Sequence, residues 1–287
     1  MTIACAKGED NDGLREKMVG GQEYITGVEM PDSAMFCGKA YYFDDPDMRE
    51  RMDREMTSFK YNHLTSLTIY KKFPRYGERI KRILKENGVP EDFVYLSVIE
   101  SNFNENARSG VGAAGFWQFM ESTARLYGLE ISETVDERYD LDKATVAACK
   151  YFKESYNKFG DWMAVAASYN AGMGRISSFM TQQHETDVMK LWMTTETCRY
   201  LFRILAAKMF IEEPWRYDYY INEKDRYHEI ETMEVEVNCS ISSLQEWAKD
   251  HDASYRELKM LNRWLTKSSL ANKKGKTYKI KLNAKTK

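Results

Sequence analysis

The feature that most restricts the fold is the stretch from residue 46 to residue 213. Apolar residues recur there with helical spacing in runs of about 10–20 residues. Gly88, the small residues at 110–115, Gly128, Gly160 and Gly172 punctuate the runs. Strand-type alternation is scarce. Helices of this kind must bury their apolar faces against one another, which predicts a mainly α domain over residues 46–213. Residues 1–45, rich in Gly, Asp and Met without a sustained period, read as a tail or irregular lead-in. Pro214 and a polar, tyrosine-rich stretch break the helical pattern, so residues 214–230 read as a linker. Residues 231–287 change character. Met233, Val235 and Val237 alternate, residues 240–250 and 254–265 read as short helices, and residues 277–282 alternate again. That order is a small βααβ module.

Charge excludes some function classes. The chain carries 42 basic and 44 acidic residues, a net charge of -2, and lacks the basic footprint of a nucleic-acid binder. No run approaches the ~20 apolar residues of a membrane-spanning helix. Cys37, Cys149, Cys198 and Cys239 form no CxxC pair, and His63, His184, His228 and His251 form no HExxH. Neither a metal site nor a cofactor is expected.

One segment has unusual chemistry. Val89-Pro90-Glu91-Asp92 is a helix start, with proline tolerated in the first turn and acids at the positive helix end. Residues 93–99 are apolar all round except Ser97, the composition of a helix buried on most sides. Glu100 follows directly. Burial and the negative end of a helix both disfavour its charged form, which is how a carboxylic acid stays protonated near neutral pH. A glutamate that merely caps the helix and faces water is the alternative from this segment alone. Beyond it come Ser109, the small residues Gly112 to Gly115 and an aromatic run containing Gln118. An alanine-rich helix then ends on Tyr169 and Asn170, with Gly172 as a natural stop.

With these segments the chain resembles the lytic transglycosylases of the soluble-transglycosylase and goose-lysozyme type, and among them the membrane-bound D type with a C-terminal LysM. The resemblance rests on "ESNFNENARS" (residues 100–109), "GAAGFWQFMESTARLYGL" (112–129), "DERYD" (136–140), "AASYNAG" (166–172) and, more weakly, "ETCRYLFRILA" (196–206). It implies a lysozyme-like helical catalytic domain. Glu100 would be the catalytic acid–base. Ser109 and Gln118 would hold the substrate's N-acetyl and neighbouring groups, and Tyr169 and Asn170 would line the cleavage site. Glu196 and Tyr200 would stand at the groove wall, while Asp136, Arg138 and Asp140 would organise the fold. The module is similar to LysM in "YRELKMLNRWL" and "GKTYKIKL", but Cys239-Ser240-Ile241-Ser242 replaces the family's usual Gly-Asp-Thr-Leu opening. Glycan binding and a packing role both stay open for it.

Most glycosidases use two carboxylates. Here a single glutamate has the buried setting, which suits a substrate-assisted cut of the β-1,4 bond between MurNAc and GlcNAc, closing a 1,6-anhydro sugar. A goose-type lysozyme using Glu105 or Glu121 to activate water is the rival enzyme, since the family often has proline at both positions. An inactive wall-binding scaffold is the rival from another class. The expected partner is the peptidoglycan glycan strand, met by a monomer in the periplasm or cell envelope. Ala4-Cys5 resembles a bacterial lipoprotein cleavage site with its upstream part missing, so a lipidated Cys5 would tether the chain to a membrane; a cytosolic start is the alternative.

Overall fold

A computed structural model describes residues 25–284; Cys5 lies outside them. The first elements are two short strands, β1 (Ser33–Phe36) and β2 (Lys39–Tyr42), paired antiparallel with Phe36 opposite Lys39. Cys37 and Gly38 both adopt positive φ, the two-residue turn that matches the natural twist of a hairpin. Ala34, Phe36, Tyr41 and Phe43 are buried in the main core, where the Phe36 ring meets Phe93 at 5.6 Å. The irregular lead-in expected over residues 1–45 is therefore corrected over residues 33–42. Its strands are four residues long, too short to display a period in the sequence.

Helix α1 (Pro46–Tyr61) starts at Asp45, whose carboxylate accepts from the amides of Asp47 and Met48, with Pro46 in the first turn. Helix α2 (His63–Glu86) is the longest element. A short 3-10 turn, Glu91–Phe93, leads into α3 (Val94–Ser101), in which every residue except Glu100 is buried. After a loop rich in small residues come α4 (Glu121–Leu126), α5 (Leu141–Phe159), α6 (Trp162–Ala171), α7 (Met173–Gln183) and α8 (Thr195–Glu212). Asp140, Asp161 and Thr194 cap α5, α6 and α8. Residues Met163 to Ser168 of α6 are all buried, which makes this alanine-rich helix a central post around which the others pack. Small side chains let its neighbours approach closely.

The loop after α3 is held from below. Arg138 forms a buried pair with Asp136 (Nη2–Oδ2 2.7 Å) and donates through Nη1 to the carbonyls of Gly112 and Phe119 at 2.9 and 3.2 Å. Gly115 passes so close that a Cβ there would sit 1.8 Å from the Arg138 carbonyl oxygen, and its φ of +78° is one that glycine alone adopts cheaply.

The C-terminal module is β3 (Thr232–Val237), α9 (Leu244–Asp250), α10 (Tyr255–Leu261) and β4 (Tyr278–Asn283), with β3 and β4 antiparallel. Its own core contains Leu244, Ala248, Leu258, Trp264 and Ile280, together with Val135 from the helical domain. Residues 134–136 pair with residues 264–266 by backbone hydrogen bonds: Asp136 donates to Trp264 at 2.8 Å and Thr266 to Thr134 at 3.0 Å. Lys276 and Tyr278 reach Glu130 at 2.6 and 2.8 Å, and Lys281 reaches Asp142 at 2.6 Å. The stretch read as a linker is also pinned to α2: Tyr227 donates to the Lys71 carbonyl at 2.7 Å, and Glu229 bridges Arg79 and Arg82. The module is docked on the helical domain. No helix among the described residues is long and apolar enough to cross a membrane.

Candidate active site

Glu100 occupies the last turn of α3, and the chain leaves that helix abruptly: Asn102 and Phe103 have φ of +50° and +52°. Two successive non-glycine residues in the left-handed region carry strain. Lys72 of α2 donates to the Phe103 carbonyl at 2.9 Å, and Ser97 donates to the Phe116 carbonyl at 3.2 Å, so both sides of the turn are fixed. Glu100 alone in α3 keeps partial exposure.

The Tyr200 hydroxyl of α8 donates to Glu100 Oε1 at 2.7 Å. Burial pushes the Glu100 carboxyl up to about 7; the Tyr200 hydrogen bond and the nearby Arg203 charge oppose the rise, and Glu196 adds to it. A carboxyl raised this far toward neutrality suits general acid–base work, in which one group gives a proton and takes one back. Tyr169 of α6 also faces Glu100. Burial first, then the negative charge of Glu100, holds its phenol well above the usual range. Its hydroxyl donates to the Trp117 carbonyl at 2.7 Å, and its ring meets Trp117 and Phe119 edge-on.

Asn170, next along α6, accepts from Thr197 Oγ1 at 2.9 Å, which ties the end of α6 to the start of α8. Glu196 lies exposed in the first turn of α8. Glu100, Tyr169, Glu196 and Tyr200 are thus brought together, with Asn170 bracing the two helices that carry the tyrosines. Ser109 and Gln118 are engaged with their own loop. Ser109 Oγ accepts from the Ala113 amide at 3.0 Å, and Gln118, at φ +47°, donates to the Gly115 carbonyl at 2.8 Å. Gln118 adjoins Trp117, the residue whose carbonyl Tyr169 holds.

Glu105 pairs with Lys72 at 3.2 Å and lies 3.9 Å from Arg263 of the module, while Glu121 pairs with Arg125 at 2.8 Å. Among the described residues no group of three or more His, Cys, Asp or Glu side chains is arranged to hold a metal ion. Two cavities lie apart from the residues around Glu100: about 150 Å³ between α2 and the module, bordered by Glu105 and Arg263, and about 360 Å³ between the start of α1 and α8. Arg203 was not singled out from the sequence. It stands seven residues after Glu196 and three after Tyr200, on the same helical face, which is the signal that could have found it.

Fold and site together define a helical domain built around one glutamic acid with a buried carboxyl and a raised pKa, with a small βααβ module docked on its side. Residues 79–191 match the transglycosylase SLT domain family, and residues 233–286 match the soluble lytic transglycosylase C-terminal LysM-like domain. The chain thus contains one segment similar to the transglycosylase SLT domain and a second similar to the LysM-like domain. It is 31% identical over 175 residues to the membrane-bound lytic murein transglycosylase D of Escherichia coli K12, covering 59% of this chain and 38% of that one. A 32% identity over 106 residues links it to the peptidoglycan transglycosylase gp16 of phage T7, covering 36% of this chain and 8% of that protein. The chain spans well under half the length of these relatives. Among solved structures, the 70 kDa soluble lytic transglycosylase of E. coli superposes with a TM-score of 0.42 at 16% identity, over 65% of this chain and 34% of that one.

Proposed function

We propose that this chain is a peptidoglycan lytic transglycosylase. It cleaves the β-1,4 bond between MurNAc and GlcNAc and leaves a 1,6-anhydroMurNAc end. One observation carries the reading: the Glu100 carboxyl is buried, which pushes it up to about 7, and accepts from the Tyr200 hydroxyl at 2.7 Å. Protonated Glu100 donates to the glycosidic oxygen. The substrate's own 2-acetamido oxygen stabilises the oxocarbenium-like centre from the opposite face. The ionised Glu100 then takes the proton of the MurNAc C6 hydroxyl as that oxygen closes on C1, so the proton account balances on one residue. Water is outcompeted because the internal nucleophile is already positioned. Tyr169, Asn170, Glu196 and Tyr200 form the wall of the cleft. Ser109 and Gln118, on the loop Tyr169 grips through Trp117, meet the N-acetyl and neighbouring groups.

The rival hydrolase needs a second carboxylate free to activate water. Glu105 and Glu121 are both committed to ion pairs, Glu105 in the seam beside the module. That favours the transglycosylase. The expected site of action is the cell envelope, where the substrate is found. The test is mass spectrometry of muropeptides after digestion of purified sacculi. Anhydro ends are expected from the wild type, and from Glu105→Gln and Glu121→Gln at similar rates. Glu100→Gln should lose about 10⁴-fold in turnover while still binding sacculi. Reducing MurNAc ends would favour the lysozyme. Near-normal activity of Glu100→Gln would refute the assignment.

A further inference from the structure

The face of α8 that meets Glu100 is itself held from elsewhere. Glu196, Tyr200 and Arg203 succeed one another at intervals of four and three residues, one stripe on the helix. Arg199 and Arg203 turn from that stripe toward α1, where they meet Glu55. This glutamate is 2% exposed, and both its oxygens are engaged. Arg199 Nε donates to Oε1 at 2.7 Å and Arg203 Nε lies 3.9 Å from Oε2. Glu55 precedes the matched segment of residues 79–191. Tertiary packing alone brings it to α8, 144 residues from Arg199 in the chain.

A fully buried carboxylate with two arginine partners is costly to assemble and costly to break. Its placement has an electrostatic consequence. Arg203 is close enough to Glu100 to favour the ionised form. We infer that Glu55 is a positioning residue for the acid–base step: its ion pairs with Arg199 and Arg203 offset the charge of Arg203 and fix the α8 face that sets the Tyr200 hydroxyl on the Glu100 carboxyl. This inference rests on Glu100 being the acid–base. The other groups facing Glu100 are Tyr200 and Glu196 on α8 and Tyr169 on α6. The cation that α2 brings to this region, Lys72, is spent on the Phe103 carbonyl and Glu105. Arg203 is therefore the cation whose compensation matters.

The signs follow directly. Glu55→Gln removes the compensating charge, so Arg203 pulls the Glu100 titration to lower pH. Arg203→Gln removes the cation and moves it to higher pH. The double variant returns close to wild type. Each single shift should be about half a pH unit, read as the displacement of the titration midpoint. The Glu100 carboxyl can be followed by ¹³C NMR of labelled glutamate, assigned by the signal missing in Glu100→Gln. The alkaline limb of kcat/KM on soluble glycan strands should move with it.

A titration unmoved in both single variants overturns the inference. So does a fall in turnover with no shift in Glu55→Gln, which would make Glu55 a folding residue only. If Glu55→Gln does not fold, Arg203→Gln, with a side chain 41% exposed, carries the test alone and must raise the titration. If Glu100→Gln proves active, the acid–base reading fails, while the NMR titrations still report on the coupling.

Discussion

Keeping a glutamic acid protonated at neutral pH has a cost that can be read in stability. A carboxyl whose folded titration lies near 7 against 4.5 in the unfolded chain binds its proton more tightly when folded. Its favourable contribution is complete below about pH 4.5 and is lost as pH rises to about 7, by at most about 3 kcal/mol. Glu100→Gln carries no such charge, so relative to wild type it should gain stability between pH 5 and 8 by roughly that amount or less. Denaturant melts at both pH values check this, and a constant difference would show that Glu100 titrates normally. Tyr200→Phe removes the hydrogen bond that favours the ionised form. The alkaline limb of kcat/KM should then move to higher pH while kcat falls, and a limb moving to lower pH would contradict the bond's direction. Glu100 was legible in the sequence because seven nearly uninterrupted apolar residues precede it. Tyr169 and Tyr200 came through motif resemblance, and nothing local to Ser109 or Gln118 foretold that each would be bonded to its own loop. Glu55 was illegible for a different reason: an ion pair across 144 residues leaves no trace in spacing.

At the scale of elements, the site depends on how the loop after α3 is fastened. Arg138 grips two of its carbonyls, and Gly115 lets the loop lie directly on the Arg138 backbone. Gly115→Ala must move one of two backbones and adopt an unfavourable φ. It should lose about 3 kcal/mol or more, seen as a melting temperature lower by roughly 5 °C or more, with turnover falling as the Trp117 carbonyl shifts under Tyr169. Gly174→Ala, in α7 with open space around it, is the matched control and should be neutral or slightly stabilising. Equal melting of the two variants would remove the close approach from the account. The helices were readable from period and punctuation: Gly172 ends α6 as it was expected to, while the caps Asp140 and Asp161 emerged only in the structure. The hairpin was not, because four-residue strands joined by Cys37-Gly38 carry neither a long alternation nor the Asn-Gly turn that usually announces one.

At the scale of the molecule, the decisive feature is the docked module. Its order of elements was visible in the alternation of residues 231–237 and 277–282. Its attachment was not, since backbone pairing between residues 134–136 and 264–266 depends on shape alone. Ending the chain after Tyr227 would expose Val135, now fully buried, and strip Glu130 and Asp142 of their lysine partners. Such a variant should melt at lower temperature than the full chain and bind a hydrophobic dye. The full chain should unfold in one calorimetric transition. Two well-separated transitions, with the helical domain melting unchanged after truncation, would show the seam to be inert. Retention on insoluble sacculi, compared between the full chain and the truncated one below its melting point, tells whether the module also grips glycan.

The Val135 contact also sets a schedule for synthesis. This residue leaves the ribosome with the helical domain, yet the side chains that cover it, up to Leu282, follow roughly 150 residues later. At about 5–20 residues per second, that leaves an apolar patch and an unpaired stretch of backbone open for roughly 7–30 s in every nascent chain. A ribosome paused just beyond residue 213 should therefore display a helical domain that recruits chaperones at residues 130–142, and release of the last strand should end that recruitment.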